Sequence, residues 1–224
     1  MRNIVALANW LFHIIYLFHK NKIINYFKGK INPKVIFDVG AYKGAFGNSF
    51  KNCKVFFFEP NIYAFTKIKK IKNNKYYNLA LGCEYKNETL NIRPNHSAST
   101  INKQIKKEFK DYLLDFLGQK KIVTNIKVYP LNFFIKKNSI KKIDILKIDV
   151  EGYEEEVLKG ISKKNFKKIK FIVIEKLLNE QLYHNYSFKR IHKIITKNNF
   201  INVSKFKDLI WNYEDHIYQS KKNI

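Results

Sequence analysis

Short apolar runs alternate along most of the chain with longer lysine-rich stretches whose apolar positions recur at helical spacing. Four runs, at 35–39, 55–58, 143–148 and 171–174, are each four to six residues long and lack the apolar–polar alternation of a half-exposed strand. A continuously apolar strand is one buried on both faces, as in a parallel sheet covered by helices. Runs of this kind separated by helical segments predict a doubly wound α/β fold, Rossmann-like, with a mostly parallel sheet. Between 84 and 128 the rhythm breaks. Residues 88–93 read as a short strand, and the apolar positions from Ile101 to Leu117 mark one face of an amphipathic helix. The expectation there is an insertion lying over the strand ends, where a substrate lid would sit.

The first segment is patterned differently. Residues 4–18 are apolar except for a stripe of Asn9, His13 and Tyr16, continued by Lys20, at helical spacing. This run is shorter than the ~20 residues needed to span a bilayer, and no small-residue cleavage pattern follows it. It reads as a helix packed on the domain or as an in-plane anchor, flanked by Lys20, Lys22, Lys28 and Lys30, in peripheral contact with an anionic membrane. The organisation expected is a 1–30 N-terminal extension and one domain over 31–224, since 224 residues suit a single core.

Composition changes this picture in two places. The net charge of +25, from 43 Lys+Arg against 18 Asp+Glu, would ordinarily point to a polyanionic partner. All but Arg2, Arg93 and Arg190 of those cations are Lys, however, whereas nucleic-acid sites favour guanidinium for bidentate and stacked contacts. Lys, Asn, Ile, Phe and Tyr make up more than half the chain and all have AT-rich codons, so genome composition accounts for the charge and a nucleic-acid partner is disfavoured. Cys53 and Cys83 are the only cysteines and form no C-x-x-C pair, which argues against a disulfide scaffold or thiolate metal site and fits a reducing cytoplasm. Metalloprotease, phosphate-loop and nucleophile-elbow motifs are absent.

The candidate chemistry begins where the first strand turns. Asp38, Gly40, Tyr42 and Gly44 lie at a strand-to-helix junction, where glycine permits positive φ and close approach of backbone to a ligand. The three-glycine fingerprint for a dinucleotide pyrophosphate is missing. Glu59, 21 residues after Asp38, closes the second strand as an exposed carboxylate placed to accept hydrogen bonds from two ribose hydroxyls. A ribose-bearing cofactor without pyrophosphate needs this combination, and S-adenosylmethionine is the common one. Asn61, Asn78 and Ala80 complete the cofactor-binding candidates, the segment 78–82 reading as a third strand end near the adenine. The structural alternative for Asp38 and Glu59 is capping of the helices that follow.

The segment 146–160, Leu-Lys-Ile-Asp-Val-Glu-Gly-Tyr-Glu-Glu-Glu-Val-Leu-Lys-Gly, resembles the signature of the FkbM family of S-adenosylmethionine-dependent methyltransferases. Phe-Asp-Val-Gly-Ala-Tyr-Lys-Gly at 37–44, Phe-Glu-Pro-Asn at 58–61 and Asn-Leu-Ala-Leu-Gly at 78–82 resemble its earlier motifs, in order. The likeness covers about residues 35–176 and departs at Tyr42, where the family usually has Asn, and at Leu131-Asn132, where it has Leu-Asp. The resemblance implies a methyltransferase fold and methyl transfer to a hydroxyl oxygen, on acceptors that include sugars and natural products.

The reactive half can be read from the residues as well. In a strand, Lys147, Asp149 and Glu151 share one face, and the last two fall at its carboxyl end, where open α/β sheets bind ligands. An alcohol acceptor must lose a proton, so a carboxylate within reach is a candidate base. Asp149 is the first choice, Glu151 the second and Glu175 the third, with His96 in a polar loop as a further candidate. Glu154 and Glu155 read as first-turn stabilisation of the next helix. Asp149 and Glu151 could instead hold a divalent ion, but nothing else with ligand spacing converges on them, so no metal is assigned. The expected partner is a small-molecule or glycan acceptor. The competing readings are an RNA methyltransferase, supported by charge alone, and a non-catalytic peripheral membrane protein with a relic cofactor fold.

Overall fold

The computed structural model describes residues 21–92, 99–103, 121–208 and 213–223. The segment 4–18, most of the 101–117 helix and His96 lie outside them. The elements in chain order are α1 (21–28), β1 (Val35–Val39), α2 (Ala45–Asn48), β2 (Lys54–Phe58), α3 (Ile62–Phe65), β3 (Lys75–Tyr77), β4 (Ala80–Gly82), β5 (Lys86–Ile92), β6 (Ser99–Thr100), β7 (Ile122–Pro130), α4 (Leu131–Lys137), β8 (Ile143–Ile148), α5 (Glu154–Lys159), α6 (Lys163–Phe166), β9 (Ile169–Leu177), α7 (Phe188–Lys197), β10 (Phe200–Lys207) and β11 (Tyr213–Ser220).

Seven strands form one sheet in the order β10-β11-β9-β8-β1-β2-β3. Strands β3, β2, β1, β8 and β9 run parallel; β11 is antiparallel to both neighbours. The strand order reverses between β1 and β8, the place where doubly wound sheets open a crevice at the carboxyl ends of the strands. All six residues of β8 are buried, Asp144 and Lys147 among its apolar residues included, as in a central strand covered on both sides. One face packs Ile36, Phe57, Ile145 and Val173 against Ile23, Ile24 and Phe27 of α1 and Phe46 of α2. The other carries Phe37, Phe58, Leu146 and Ile172 under Leu131 and Phe134 of α4, Val157 and Leu158 of α5, and Ile191 and Ile195 of α7.

Three elements differ from what the pattern suggested. The strand read at 171–174 runs over Ile169–Leu177, and β3 ends before Asn78. Residues 78–82 are therefore not one strand end: Ala80–Gly82 leaves the main sheet and pairs with Val128–Pro130 of β7. That pairing nucleates a second, four-stranded sheet in the order β4-β7-β5-β6, holding residues 86–92 and 122–130 of the insertion. Over most of their length these strands alternate half-buried and exposed positions, so β7 escapes a search for continuous apolar runs, whereas β5 overlaps the short strand read at 88–93.

Candidate active site

The carboxyl ends of β1, β2 and β8 converge on one cluster. The last strand residue pairs are Val39↔Phe58 and Val39↔Ile148, so the turns after these strands start at the same level. Gly40 bends the chain there with φ 72°, and its N–H donates to the carbonyl of Phe58 at 3.0 Å. A Cβ on Gly40 would stand 1.7 Å from the carbonyl oxygen of Asp149, so no other residue lets the two turns pass each other. Tyr42 and Gly44 also hold positive φ, at 51° and 77°. The loop thus curls back on itself and delivers the Tyr42 N–H to Glu59.

Glu59 bridges the turns after β1 and β2. Its Oε2 accepts from the Tyr42 N–H at 2.7 Å and its Oε1 from the Asn61 N–H at 2.8 Å. The carboxylate is only 6% exposed, which corrects the expectation of an exposed strand-end group: two loops close over it because each needs an acceptor for a backbone N–H. Burial pushes its carboxyl up to about 7 against the pull of those two hydrogen bonds. Burial, with Glu59 adding to it, likewise pushes the Tyr42 phenol up to about 12. Asn61 caps α3 by accepting the Tyr63 N–H at 3.0 Å and donates to Ser99 Oγ at 3.0 Å. Asn78 donates to the carbonyls of Glu59 and Pro60 at 2.8 and 3.1 Å, holding the backbone that carries the carboxylate. Ala80 is buried in β4, opposite Val128 in the second sheet.

The centre of the cluster is a residue the sequence placed on the right face but gave no part. Lys147, 1% exposed in the middle of β8, donates from Nζ to the Gly40 carbonyl at 2.8 Å. The same ammonium lies 3.4 Å from Asp38 Oδ1 and 3.1 Å from Asp149 Oδ2. Asp38 has no exposed surface, and its other oxygen accepts the Gly47 N–H of α2 at 3.0 Å. The capping alternative is therefore realised in the structure together with the ion pair. Burial pushes the Asp38 carboxyl up, and Lys147 and the Gly47 N–H oppose it. A buried lysine with two carboxylates and a carbonyl is a compensated charge, which an apolar interior tolerates. A lysine inside an otherwise mostly apolar central strand was the signal that could have found it.

Asp149 stands at the carboxyl end of β8 with its side chain 13% exposed, so it meets both Lys147 and solvent. Glu151 follows at φ 54° and receives the Tyr183 hydroxyl on Oε2 at 3.2 Å. Glu175 is one position beyond the Ile148↔Ile174 pair, at the level of Asp149 on the neighbouring strand, and it pairs in register with Asp215 of β11. It is 6% exposed. Among the described residues no three His, Cys, Asp or Glu side chains are arranged to hold a metal ion.

Two further features were not legible in the sequence. Residues 99–103 form a strap across the strand ends. Ser99 takes the Asn61 amide, Thr100 Oγ1 donates to the Glu151 carbonyl at 2.7 Å, Asn102 donates to the Gly152 carbonyl, and the Lys103 carbonyl accepts the His184 N–H at 2.9 Å. Glu154 is fully buried beneath the same turn, its Oε1 accepting the Val150 and Gly152 N–H groups at 3.1 and 3.2 Å. Its Oε2 has no hydrogen-bond partner among the described residues, and burial pushes the carboxyl up to about 8. Glu154 therefore braces the turn that carries Asp149 and Glu151, beyond the helix-dipole role read from its position.

A family profile described as Methyltransferase FkbM domain matches residues 38–201, a span that contains the whole cluster. The chain belongs to this family. It is an S-adenosylmethionine-dependent methyltransferase. Among solved structures, magnesium protoporphyrin IX methyltransferase from Synechocystis PCC 6803 with bound S-adenosylmethionine aligns with TM-score 0.51 at 9% identity, over 93% of this chain and 81% of that one. A TehB-like S-adenosylmethionine-dependent methyltransferase from Corynebacterium glutamicum aligns with TM-score 0.45 at 8% identity, over 91% and 88%. At such identities the first likeness shows the shared methyltransferase fold. None of the curated proteins matches the sequence.

The residues present fit the family's cofactor. Each Glu59 oxygen spends one lone-pair direction on a backbone N–H and keeps a second for a hydroxyl donor, as a ribose diol demands. The turn at Gly40 leaves no room for a side chain between the two strands.

Proposed function

We propose that this FkbM-family enzyme methylates a hydroxyl oxygen of a glycan or of a small glycosylated or natural-product acceptor. The observation that carries the reading is Asp149: a partly exposed carboxylate at the end of the central strand, fixed by a buried lysine and flanked by the cofactor turn. When bound, S-adenosylmethionine supplies an electrophilic methyl group. Glu59, with Asn61 beside it, accepts the ribose hydroxyls; the backbone at Gly40, Tyr42 and Gly44 shapes the turn; Asn78 and Ala80 belong to the adenine end. Asp38 acts through Lys147 and α2, holding the turn in place.

Displacement at a methyl carbon is in-line, so most of the acceleration comes from holding the acceptor oxygen at the right distance and angle. Asp149 takes the hydroxyl proton as the oxygen attacks. Lys147 restrains its carboxylate, and Glu154 with the Thr100 and Asn102 contacts fixes the turn behind it. Glu151 and Glu175 are the reserve bases in this scheme. The exposed lysine surface alone favours an RNA acceptor, and no other observation joins it.

The test is transfer of a labelled methyl group from S-adenosylmethionine to cell-surface glycan fractions, with total RNA as the comparison acceptor. Alkali-stable label on glycan hydroxyls is the expected result; label on RNA alone would replace the acceptor class.

A further inference from the structure

The opposite end of the sheet carries a cavity that the methyl-transfer scheme does not use. It lies at the amino ends of β1, β8 and β9, has a volume of about 570 Å³, and is lined by Lys30, Lys34, Lys141, Lys142 and Lys170. Asp144, at the start of β8, is the only carboxylate on its wall among the described residues. From Asp144 to Asp149 the strand advances five residues, about 17 Å at ~3.3 Å each, so this cavity is separate from the cofactor turn.

Five of the eleven lining residues are lysines, whereas lysine is fewer than one in five of the chain. Genome composition, which explains a diffusely basic surface, does not gather five lysines around one concavity. Asp144 does not neutralise them. Its Oδ2 already accepts the Lys34 and Val35 N–H groups at 2.8 and 3.1 Å, and its Oδ1 pairs with Lys142 at 3.0 Å. Burial opposes its charge, yet the hydrogen bonds from Lys34, Lys142 and Val35 hold its carboxyl below the usual range. The wall therefore stabilises a negative charge and retains four further lysines around it, two of which, Lys30 and Lys170, hold their ammonium groups over the Tyr26 and Phe171 rings at 4.0 and 5.5 Å from the centroids without losing charge. Crowded like charges in a concave site repel one another, and a bound anion relieves that repulsion. Ile31, Val35 and Ile140 supply an apolar floor beside the ammonium groups, and the volume exceeds what an inorganic ion needs.

We propose that this cavity binds the phosphate or diphosphate group of an anionic ligand, with the uncharged remainder of the ligand resting on Ile31, Val35 and Ile140. The reading is independent of the methyl acceptor, because none of its residues belongs to the active site.

The probe is inorganic pyrophosphate, titrated calorimetrically into the full chain at low ionic strength. The cavity variant is Lys141→Gln with Lys170→Gln; the control, matched in net charge, is Lys189→Gln with Lys193→Gln on exposed positions of α7. Saturable binding in the wild type and control, weakened about tenfold or more in the cavity variant, is the expected result, the scale of losing two charge-assisted contacts. Absence of saturable binding, or equal weakening in both variants, overturns the proposal. A parallel arm uses phosphatidylcholine vesicles containing phosphatidic acid. Vesicle binding that falls in the cavity variant alone assigns the phosphate to a lipid, and vesicle binding unchanged between variants assigns it to a soluble ligand; with pyrophosphate bound, either supports the site.

Discussion

Lys147 Nζ lies 3.1 Å from Asp149 Oδ2, the lysine standing in β8 and the aspartate on the first residue beyond that strand. One end of this pair is sealed in the sheet, at 2% side-chain exposure, while the other reaches the site at 13%. The buried cation thus fixes the position of a carboxylate that solvent can reach. It also ties that carboxylate to the turn at Gly40, through that residue's carbonyl.

Replacing Asp149 with Asn should lower turnover by about 10²–10⁴, the usual cost of losing a positioned base, with little change in affinity for S-adenosylhomocysteine. Rates at saturating cofactor and acceptor, compared with calorimetric binding, make the check. Near wild-type turnover would transfer the role to Glu151 or Glu175.

Lys147→Met leaves Asp38 buried without its counter-ion, which commonly destabilises a domain by about 3–5 kcal/mol. At this size that is a fall in Tm of about 10 °C. Combining it with Asp38→Asn removes the orphaned charge and keeps an acceptor for the Gly47 N–H, so most of the loss should be recovered in thermal denaturation. A double variant no more stable than Lys147→Met would show that the ion pair is not what the core depends on.

Glu59→Gln should weaken cofactor binding by about two decades, since charge-assisted hydrogen bonds contribute about 1.5–3 kcal/mol each and two are impaired. Affinity should also depend on pH. With its carboxyl at about 7 rather than 4.5, Glu59 carries a proton below pH 7 that competes with hydroxyl donors. Affinity for S-adenosylhomocysteine should therefore rise as pH increases through 7, and the Gln variant should lose that rise. A flat profile in the wild type would dissociate Glu59 from the ribose.

Glu154 is shifted in the same direction, but its stability signature runs the other way with pH. Its carboxyl sits at about 8 when folded and near 4.5 when unfolded, so the folded chain binds the extra proton in between. The stability associated with that proton is fully present below about pH 4.5 and is lost as pH rises through 8. Glu154→Gln should flatten this decline, raising Tm at pH 9 relative to wild type more than at pH 5. Equal changes at both pH values would mean that Glu154 is ionised in the fold throughout.

The sequence by itself determined the architecture of the main sheet's centre and the strand ends that carry the candidate site. A strand buried on both faces must be apolar at most positions, and a turn that crosses another backbone must carry glycine; both constraints act on consecutive residues and can be read one segment at a time. That is why β1, β2 and β8, the turn at Gly40 and the acidic end of β8 were all visible. Only the tertiary structure decided what these residues touch. Asp38 and Lys147 are more than a hundred residues apart, as are Gly40 and Lys147, and their meeting follows from the β1–β8 register. The strap at 99–103, the burial of Glu59 between two loops and the second sheet likewise rest on contacts between distant segments. A local pattern records whether a residue is buried; which partner compensates a buried charge is set by the packing of the whole chain.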